Sequence, residues 1–161
     1  MTAKTIELIG HNLGFVADKD VIISCKWSDQ NEDNDYGNDF AGTAVIDMAI
    51  RQISEYLDGK RKTFSIPLRI NGSKFRMKVW EELKKIPYGE TVTYAELARR
   101  IGSPKAFRAV ANACGANPCP IIIPCHRVVA SGGKIGGYTG GIDIKITLLD
   151  IEKQNSRSIR Y

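Results

Sequence analysis

The chain has 161 residues, 43% of them hydrophobic and 25% charged, a balance that sets aside global disorder, collagen-like repeats and a disulfide scaffold. No apolar run approaches the ~20 residues of a membrane helix, and Met1 to Leu13 lack the apolar core of a secretory signal, so a soluble intracellular protein is expected. The net charge of +5 is uneven, −7 over residues 1–59, +9 over 60–108 and +3 over 109–161. A basic remainder of this kind suits a polyanion, nucleic acid first; a solvated basic face that binds nothing is the plain alternative.

Thr5 to Trp27 reads as short strands around Ile6, Leu8 and Ile9, then Phe15 and Val16, then Val21, Ile22 and Ile23. Asn12, Gly14 and Asp18 to Asp20 are expected to punctuate them. Ser28 to Gly42 is polar and acidic and reads as a loop. From Thr43 the period becomes helical, with Ile46, Ile50, Ile53 and Leu57 on one face and Gly59 as the stop. Lys60 to Ile70 is basic and extended. A domain boundary is placed near Asn71 and Gly72, giving domains 1–71 and 72–161.

The second half reads as more helical. Phe75, Val79 and Leu83 lie four apart behind Ser73, a candidate N-cap. Ile86 to Gly89 ends that helix. Thr93 and Glu96 form a capping box, in which each side chain is expected to satisfy an orphan N–H. Leu97, Ala98 and Ile101 supply this short helix with an apolar face, and Gly102 closes it. Ser103 and Pro104 are expected to open the next helix as N-cap and first residue, carrying Ala106, Phe107, Val110 and Ala113 to about Gly115. The pair reads as a helix-turn-helix, with Lys105 and Arg108 at the start of its second helix; an αα-corner with surface charges is the alternative.

Four cysteines are present: Cys25, Cys114, Cys119 and Cys125. The last three fall close together before His126, but their spacing is not that of common structural zinc sites. Pro118, Pro120 and Pro124 interrupt ordinary helix or central strand, and Ile121 to Ile123 would bury the segment. A rigid, buried loop would thus fix Cys125. Such a thiol is an inert core residue unless a neighbour favours its thiolate, and His126 is a candidate base. Six glycines then fall within residues 132–141, in an order unlike a P-loop. A final helix, Asp143 to about Lys153, is expected to bury Ile142, Ile146 and Leu149. Glu152 near its end opposes the helix dipole and invites a partner elsewhere.

Pro124-Cys125-His126-Arg127-Val128 followed by Gly137-Tyr138-Thr139-Gly140-Gly141 resembles the O6-alkylguanine-DNA alkyltransferases. The resemblance continues through Val79-Trp80, Ile86-Pro87-Tyr88-Gly89, Thr93-Tyr94, Leu97-Ala98, Arg108-Ala109-Val110 and Asn117-Pro118. It covers residues 72–153 closely, 44–70 loosely and 1–43 barely. It implies an α/β protein: a small RNase-H-like N-terminal domain, then a mainly helical domain with a winged-helix-like helix-turn-helix. It also implies irreversible transfer of a methyl or larger alkyl group from O6 of guanine in double-stranded DNA to Cys125, once per molecule. O4-alkylthymine is a further possible substrate.

By the same resemblance His126 activates the thiol through a water, Glu152 orients His126, and Tyr94 assists the departing base and meets the backbone. Arg108 enters the stack as the base rotates out. Lys105, Ala106, Ala109 and Gly115 belong to the DNA-facing surface, where Phe107 is expected to turn inward. Val128, Tyr138, Thr139, Gly140 and Lys145 belong to the pocket, and Asn117 ties the recognition helix to the cysteine loop. The resemblance implies no cofactor, no metal and no membrane, a monomer, and a cytoplasmic location, or a nuclear one in a eukaryote. A non-catalytic lesion-binding module and a thiol-metal protein through Cys114, Cys119 and Cys125 are the alternatives.

Overall fold

The computed structural model describes residues 1–28 and 40–157, so most of the stretch read as a loop over 28–42 lies outside the described residues. The described residues fall into two units: Met1–Ile70 with Pro118–Ile122, and Asn71–Asn117 with the chain from Ile123 onward. The architecture is α/β with small sheets.

The first unit is an antiparallel meander, β1 (Thr2–Leu8), β2 (His11–Asp18) and β3 (Val21–Ser28), with α1 (Phe40–Leu57) against it. Alternation along β2 puts Leu13, Phe15 and Ala17 inside, none more than 1% exposed. The first hairpin does not break at Asn12 or Gly14, as the sequence suggested. Those residues pair with Glu7 and Thr5, and the turn is Ile9-Gly10, with φ of 47° and 79°. Two successive positive φ values give the primed turn whose twist matches the strands. α1 begins at Phe40, three residues before the predicted start, so Phe40 to Gly42 is helix rather than loop. Its buried stripe is Val45, Ile46, Ala49, Gln52, Ile53 and Tyr56; Ile50 and Leu57 lie at its margin. Gly59, at φ 75°, ends it as predicted, with Lys60 N–H donating to Glu55 O at 2.8 Å and Gly59 N–H to Tyr56 O at 3.0 Å.

The second unit contains α2 (Lys74–Leu83), β4 (Val92–Thr93), α3 (Tyr94–Arg100), α4 (Phe107–Gly115), β5 (Val128–Val129) and α5 (Ile142–Arg157). Ser73 caps α2, accepting from Arg76 N–H at 3.2 Å. The Trp80 indole donates to Ala113 O at 2.8 Å and joins α2 to α4. Thr93 caps α3 by accepting from Glu96 N–H at 3.1 Å, but the box is not reciprocal, because the Glu96 carboxylate pairs with Arg99 and Arg100. β4 runs parallel to β5, pairing Val92 with Val128 and Thr93 with Val129. That pairing sets the cysteine loop beside the start of α3.

Two corrections concern helix faces and ends. After Gly102 (φ 78°), Ser103 N–H returns to Ala98 O and Ala106 N–H to Ser103 O, both at 2.9 Å. This turn consumes Ser103 to Ala106, so α4 starts at Phe107 rather than at Pro104, and Lys105 and Ala106 precede it. In α5 the buried residues are Ile144, Lys145, Leu148 and Glu152, whereas Ile142 and Ile146 are 49% and 44% exposed. Two charged residues occupy the core face, which is why an apolar count misplaced it. The helix also continues to Arg157, so Glu152 is not in its last turn and the dipole argument lapses.

Candidate active site

Cys125 opens a single 3-10 turn, Cys125–Arg127, set by Pro124 and by Cys125 N–H donating to Ile123 O at 2.8 Å. Asn117 holds the same loop, its Nδ2 donating to Ile123 O at 2.7 Å. The next residues, Val128 and Val129, are the strand β5. Cys125, His126 and Arg127 are thereby fixed before any contact of their own side chains.

Glu152 is the centre of a buried cluster. Its Oε1 lies 2.7 Å from His126 Nε2. Arg127 Nε donates to both carboxylate oxygens at 3.1 and 3.0 Å, and Arg127 Nη2 donates to Oε1 at 2.9 Å. Gly89 N–H donates to Oε2 at 3.1 Å, and Arg127 Nη1 donates to Ile86 O at 2.7 Å. The guanidinium also lies 5.7 Å from the Tyr88 ring centroid. Sequence reasoning found His126 and Glu152 but gave Arg127 no role beyond its place in the motif; an arginine directly after Cys-His, inside an apolar run, was its signal. Gly89 left a weaker one: its φ of 81° and a Ser156 side chain where a Cβ would sit leave room for glycine alone.

Burial alone would push the Glu152 carboxyl up, but hydrogen bonds from His126 and Arg127 and their charges hold it at about 2. Glu152 is therefore an anion at neutral pH. Burial pushes His126 below the usual imidazole range, and Glu152 offsets this only in part. The ring is thus neutral, its Nε2 proton directed at Glu152, and Nδ1 is the nitrogen able to accept a proton. Burial pushes the Cys125 thiol up, with the Asn117 hydrogen bond and the Lys145 charge pulling against it. The resting sulfur is a thiol.

Cys125 lines a cavity of about 380 Å³ with Tyr94, Ala111, Asn112, Cys114, Gly115, Gly137, Tyr138 and Thr139. Tyr94, Tyr138 and Thr139 were expected there. Val128, Gly140 and Lys145 were too, but they are not on its wall. Lys145 is fully buried behind it, where Nζ donates to Val128 O at 2.7 Å and Gly137 O at 3.0 Å and sits 5.9 Å from the Tyr94 ring centroid. Lys145 therefore ties β5 to the glycine-rich loop. The Thr139 hydroxyl donates to Gly115 O at 2.9 Å, tying that loop to α4. Burial, then Cys114 and Cys125, push the Tyr94 phenol up to about 12, so it keeps its proton at neutral pH.

α4 presents Arg108, Ala109 and Gly115 to solvent, with Lys105 exposed and Ala106 half-buried just before it. Phe107 does not turn inward; it is 46% exposed, because Val110, Ala113 and Cys114 form the buried face instead. No three His, Cys, Asp or Glu side chains converge on a common point among the described residues, so the cysteine cluster does not assemble a metal centre there. Cys119 belongs to the first unit, where Pro118 O and Pro120 O accept from Cys25 N–H and Sγ.

The model of the 6-O-methylguanine DNA methyltransferase, DNA binding domain, matches residues 74–154. The inducible methylated-DNA–protein-cysteine methyltransferase of Bacillus subtilis is 48% identical over 105 residues, 65% of this chain and 59% of that protein's length. The chain thus spans less than two thirds of that relative. The methylated-DNA–protein-cysteine methyltransferase of Methanosarcina acetivorans is 51% identical over 104 residues, 65% of this chain and 67% of the relative. Among solved structures, Mycobacterium tuberculosis OGT in complex with DNA superposes with a TM-score of 0.85 at 37% identity, covering 95% of this chain and 93% of that one. With the matched region spanning the cysteine loop, its buried cluster and α4, the chain belongs to the 6-O-methylguanine DNA methyltransferase family.

Proposed function

We propose that this chain reverses alkylation damage by moving the alkyl group from O6 of guanine in double-stranded DNA to Cys125. The observation that carries the reading is that, of the two thiols on the cavity wall, Cys114 and Cys125, it is Cys125 that is followed directly in the chain by His126 and Arg127 of the buried His126–Glu152–Arg127 cluster. The Cys125 proton passes towards His126 Nδ1, directly or through a water, and the sulfur attacks the alkyl carbon. The C–O6 bond breaks as the S–C bond forms. The electron pair stays on the guanine oxygen, and the Tyr94 phenol is the donor suited to meet it. The product is a thioether and unmodified guanine; nothing in the step restores the thiol, so each molecule acts once, without cofactor or metal.

Arg108 fills the gap left when the base leaves the stack, a move that costs a few kcal/mol. Lys105 and the small residues Ala106, Ala109 and Gly115 form the surface against DNA. Tyr138 and Thr139 face the base. Gly140, Lys145 and Val128 support the loop that bounds the pocket, and Asn117 holds the cysteine loop. The first domain, 1–71, is RNase-H-like and the second, 72–161, carries a winged-helix-like helix-turn-helix. The protein acts as a monomer in the cytoplasm, or in the nucleus of a eukaryotic cell.

The test is intact mass and peptide mapping after mixing with duplex DNA holding one O6-methylguanine. One methyl on Cys125, none on Cys114 or Cys119, and no transfer in Cys125→Ser are expected. Tight binding with the methyl left on DNA would make the chain a lesion-binding module instead.

A further inference from the structure

α4 has two faces. Val110, Ala113 and Cys114 are buried, while Phe107, Arg108, Ala109, Asn112 and Gly115 are exposed. On the exposed face only the first two side chains are large, and they are adjacent at the helix start. Phe107 leaves nearly half its surface in water, which a phenyl ring in an unliganded core would not do. It does not cap the helix, whose N-cap, Ala106, makes no side-chain hydrogen bond.

The helical repeat fixes where these two side chains stand relative to the cavity. Residues four apart lie one above the other on a helix. Phe107 is therefore one turn ahead of Ala111, and two turns ahead of Cys114 and Gly115. Arg108 is one turn ahead of Asn112, and two turns ahead of Gly115. All four of those residues line the cavity that holds Cys125. Phe107 and Arg108 thus straddle the direction in which α4 faces the cavity, one turn beyond its wall. Lys105, exposed two residues before Phe107, and Arg108 after it put positive charge at this end of the helix, which favours a polyanion over an apolar protein partner.

We propose that Phe107 is a positioning residue for duplex substrates, an apolar wedge that enters the base stack beside Arg108 and holds the duplex open while the alkylated base occupies the cavity. This rests on the reading of Cys125 as acceptor of an alkyl group from DNA. A flat apolar ring can partly unstack a base step and take its place against the neighbouring bases. Arg108 offers a guanidinium plane for the same gap. Two adjacent side chains, one charged and one apolar, can fill both the vacated position and the opened step beside it.

Single-turnover rates of methyl transfer from duplex DNA and from the free base O6-benzylguanine test this. Phe107→Ala should slow the duplex reaction about tenfold, the scale of losing one aromatic–base stack. The reaction with the free base should be unchanged, because no stack has to be opened. Phe107→Leu, still an apolar wedge, should recover most of the duplex rate, whereas Phe107→Ser should not. A 2-aminopurine next to the lesion should brighten on binding wild type and brighten less with Phe107→Ala. Equal losses on both substrates, or no loss on duplex, overturn the wedge. A wild-type protein that reacts with neither overturns the underlying reading along with it.

Discussion

The two units bury different kinds of polar group. In the first, the described polar side chains in the core are neutral, Thr2 and Gln52, and the ion pairs Lys4–Asp47, Arg61–Glu55 and Arg69–Asp18 lie at or near the surface. In the second, His126, Arg127, Lys145 and Glu152 are each at most 6% exposed. Replacing such a cluster by apolar residues of similar volume is often neutral or stabilising, so stability alone gives weak reason to keep it. The proposed reaction gives a charge cluster directly behind a cavity thiol its reason, and the way to break the comparison is to perturb each kind of buried group.

The largest effect is expected at the hydrogen bond between His126 and Glu152. His126→Ala and Glu152→Gln should each slow alkyl transfer about a hundred- to ten-thousandfold near neutral pH. The double variant should lose far less than the product of the two, since residues acting as a unit are non-additive. Glu152 raises the His126 pKa, and the proposed reaction needs the neutral ring. Removing the carboxylate should therefore move the acid limb of the pH–rate profile to lower pH while the plateau falls. Both variants should recover partly at high pH, where the thiol ionises unaided. An unmoved acid limb in Glu152→Gln would show that Glu152 only anchors its helix.

Much of this contrast was legible in the sequence, and the misses have physical reasons. The strands, α1, the Ser73 and Thr93 caps and the Gly59 and Gly102 stops follow from local chemistry that acts over a few residues. The cysteine loop was legible through its prolines and through the family resemblance. The buried face of α5 was not, because Lys145 and Glu152 read as solvent residues until their partners are known, and those partners, Val128 O, Gly137 O, His126 and Arg127, are remote in sequence. The start of α4 failed for a different reason. Ser103-Pro104 is a good helix opening, but Gly102 and the returning Ser103 N–H turned it into the end of the previous helix. Phe107 was expected to turn inward because the resemblance puts small residues at its place, but Val110, Ala113 and Cys114 already form the buried face of α4 and leave it standing out.

Arg127→Ala sharpens the comparison through stability. It leaves the Glu152 charge buried without its guanidinium, and breaking such a pair costs about 3–5 kcal/mol in denaturant unfolding. Arg127→Lys should recover only part of this, since an ammonium cannot span both carboxylate oxygens and Ile86 O together. A cost under 1 kcal/mol would place the cluster with ordinary surface pairs.

Acid should act next, and through the second unit. The Glu152 carboxyl is held at about 2 against an ordinary 4.5. A lowered folded-state pKa adds stability that is present above the unfolded value and lost as pH falls towards the folded one. The loss, about 3 kcal/mol, should therefore fall between roughly pH 4.5 and pH 2. His126, buried neutral with its pKa below 6.5, adds to this from about pH 6.5 downward, because the unfolded chain takes up the proton first. Unfolding free energies measured from pH 7 to pH 2 should show both stages, and Glu152→Gln should flatten the lower one.

The smallest effect belongs to the buried polar group of the first unit. Gln52 Nε2 donates to Ser65 Oγ at 3.0 Å, and its Oε1 accepts from Ser65 N–H at 2.9 Å. Gln52→Met keeps the volume and removes both bonds. Ser65 is exposed, so water can reach its freed groups and the loss should be about 1 kcal/mol rather than the full cost of a buried unsatisfied pair. Neither partner titrates, so the loss should be the same at pH 7 and at pH 3, where the Glu152 contribution is falling. The rate of alkyl transfer to Cys125 should be that of wild type. If the Gln52→Met loss grew on acidification, the pH sensitivity of the protein would not be confined to the charged cluster, and the contrast between a neutral core in one unit and a charged one in the other would lose its meaning.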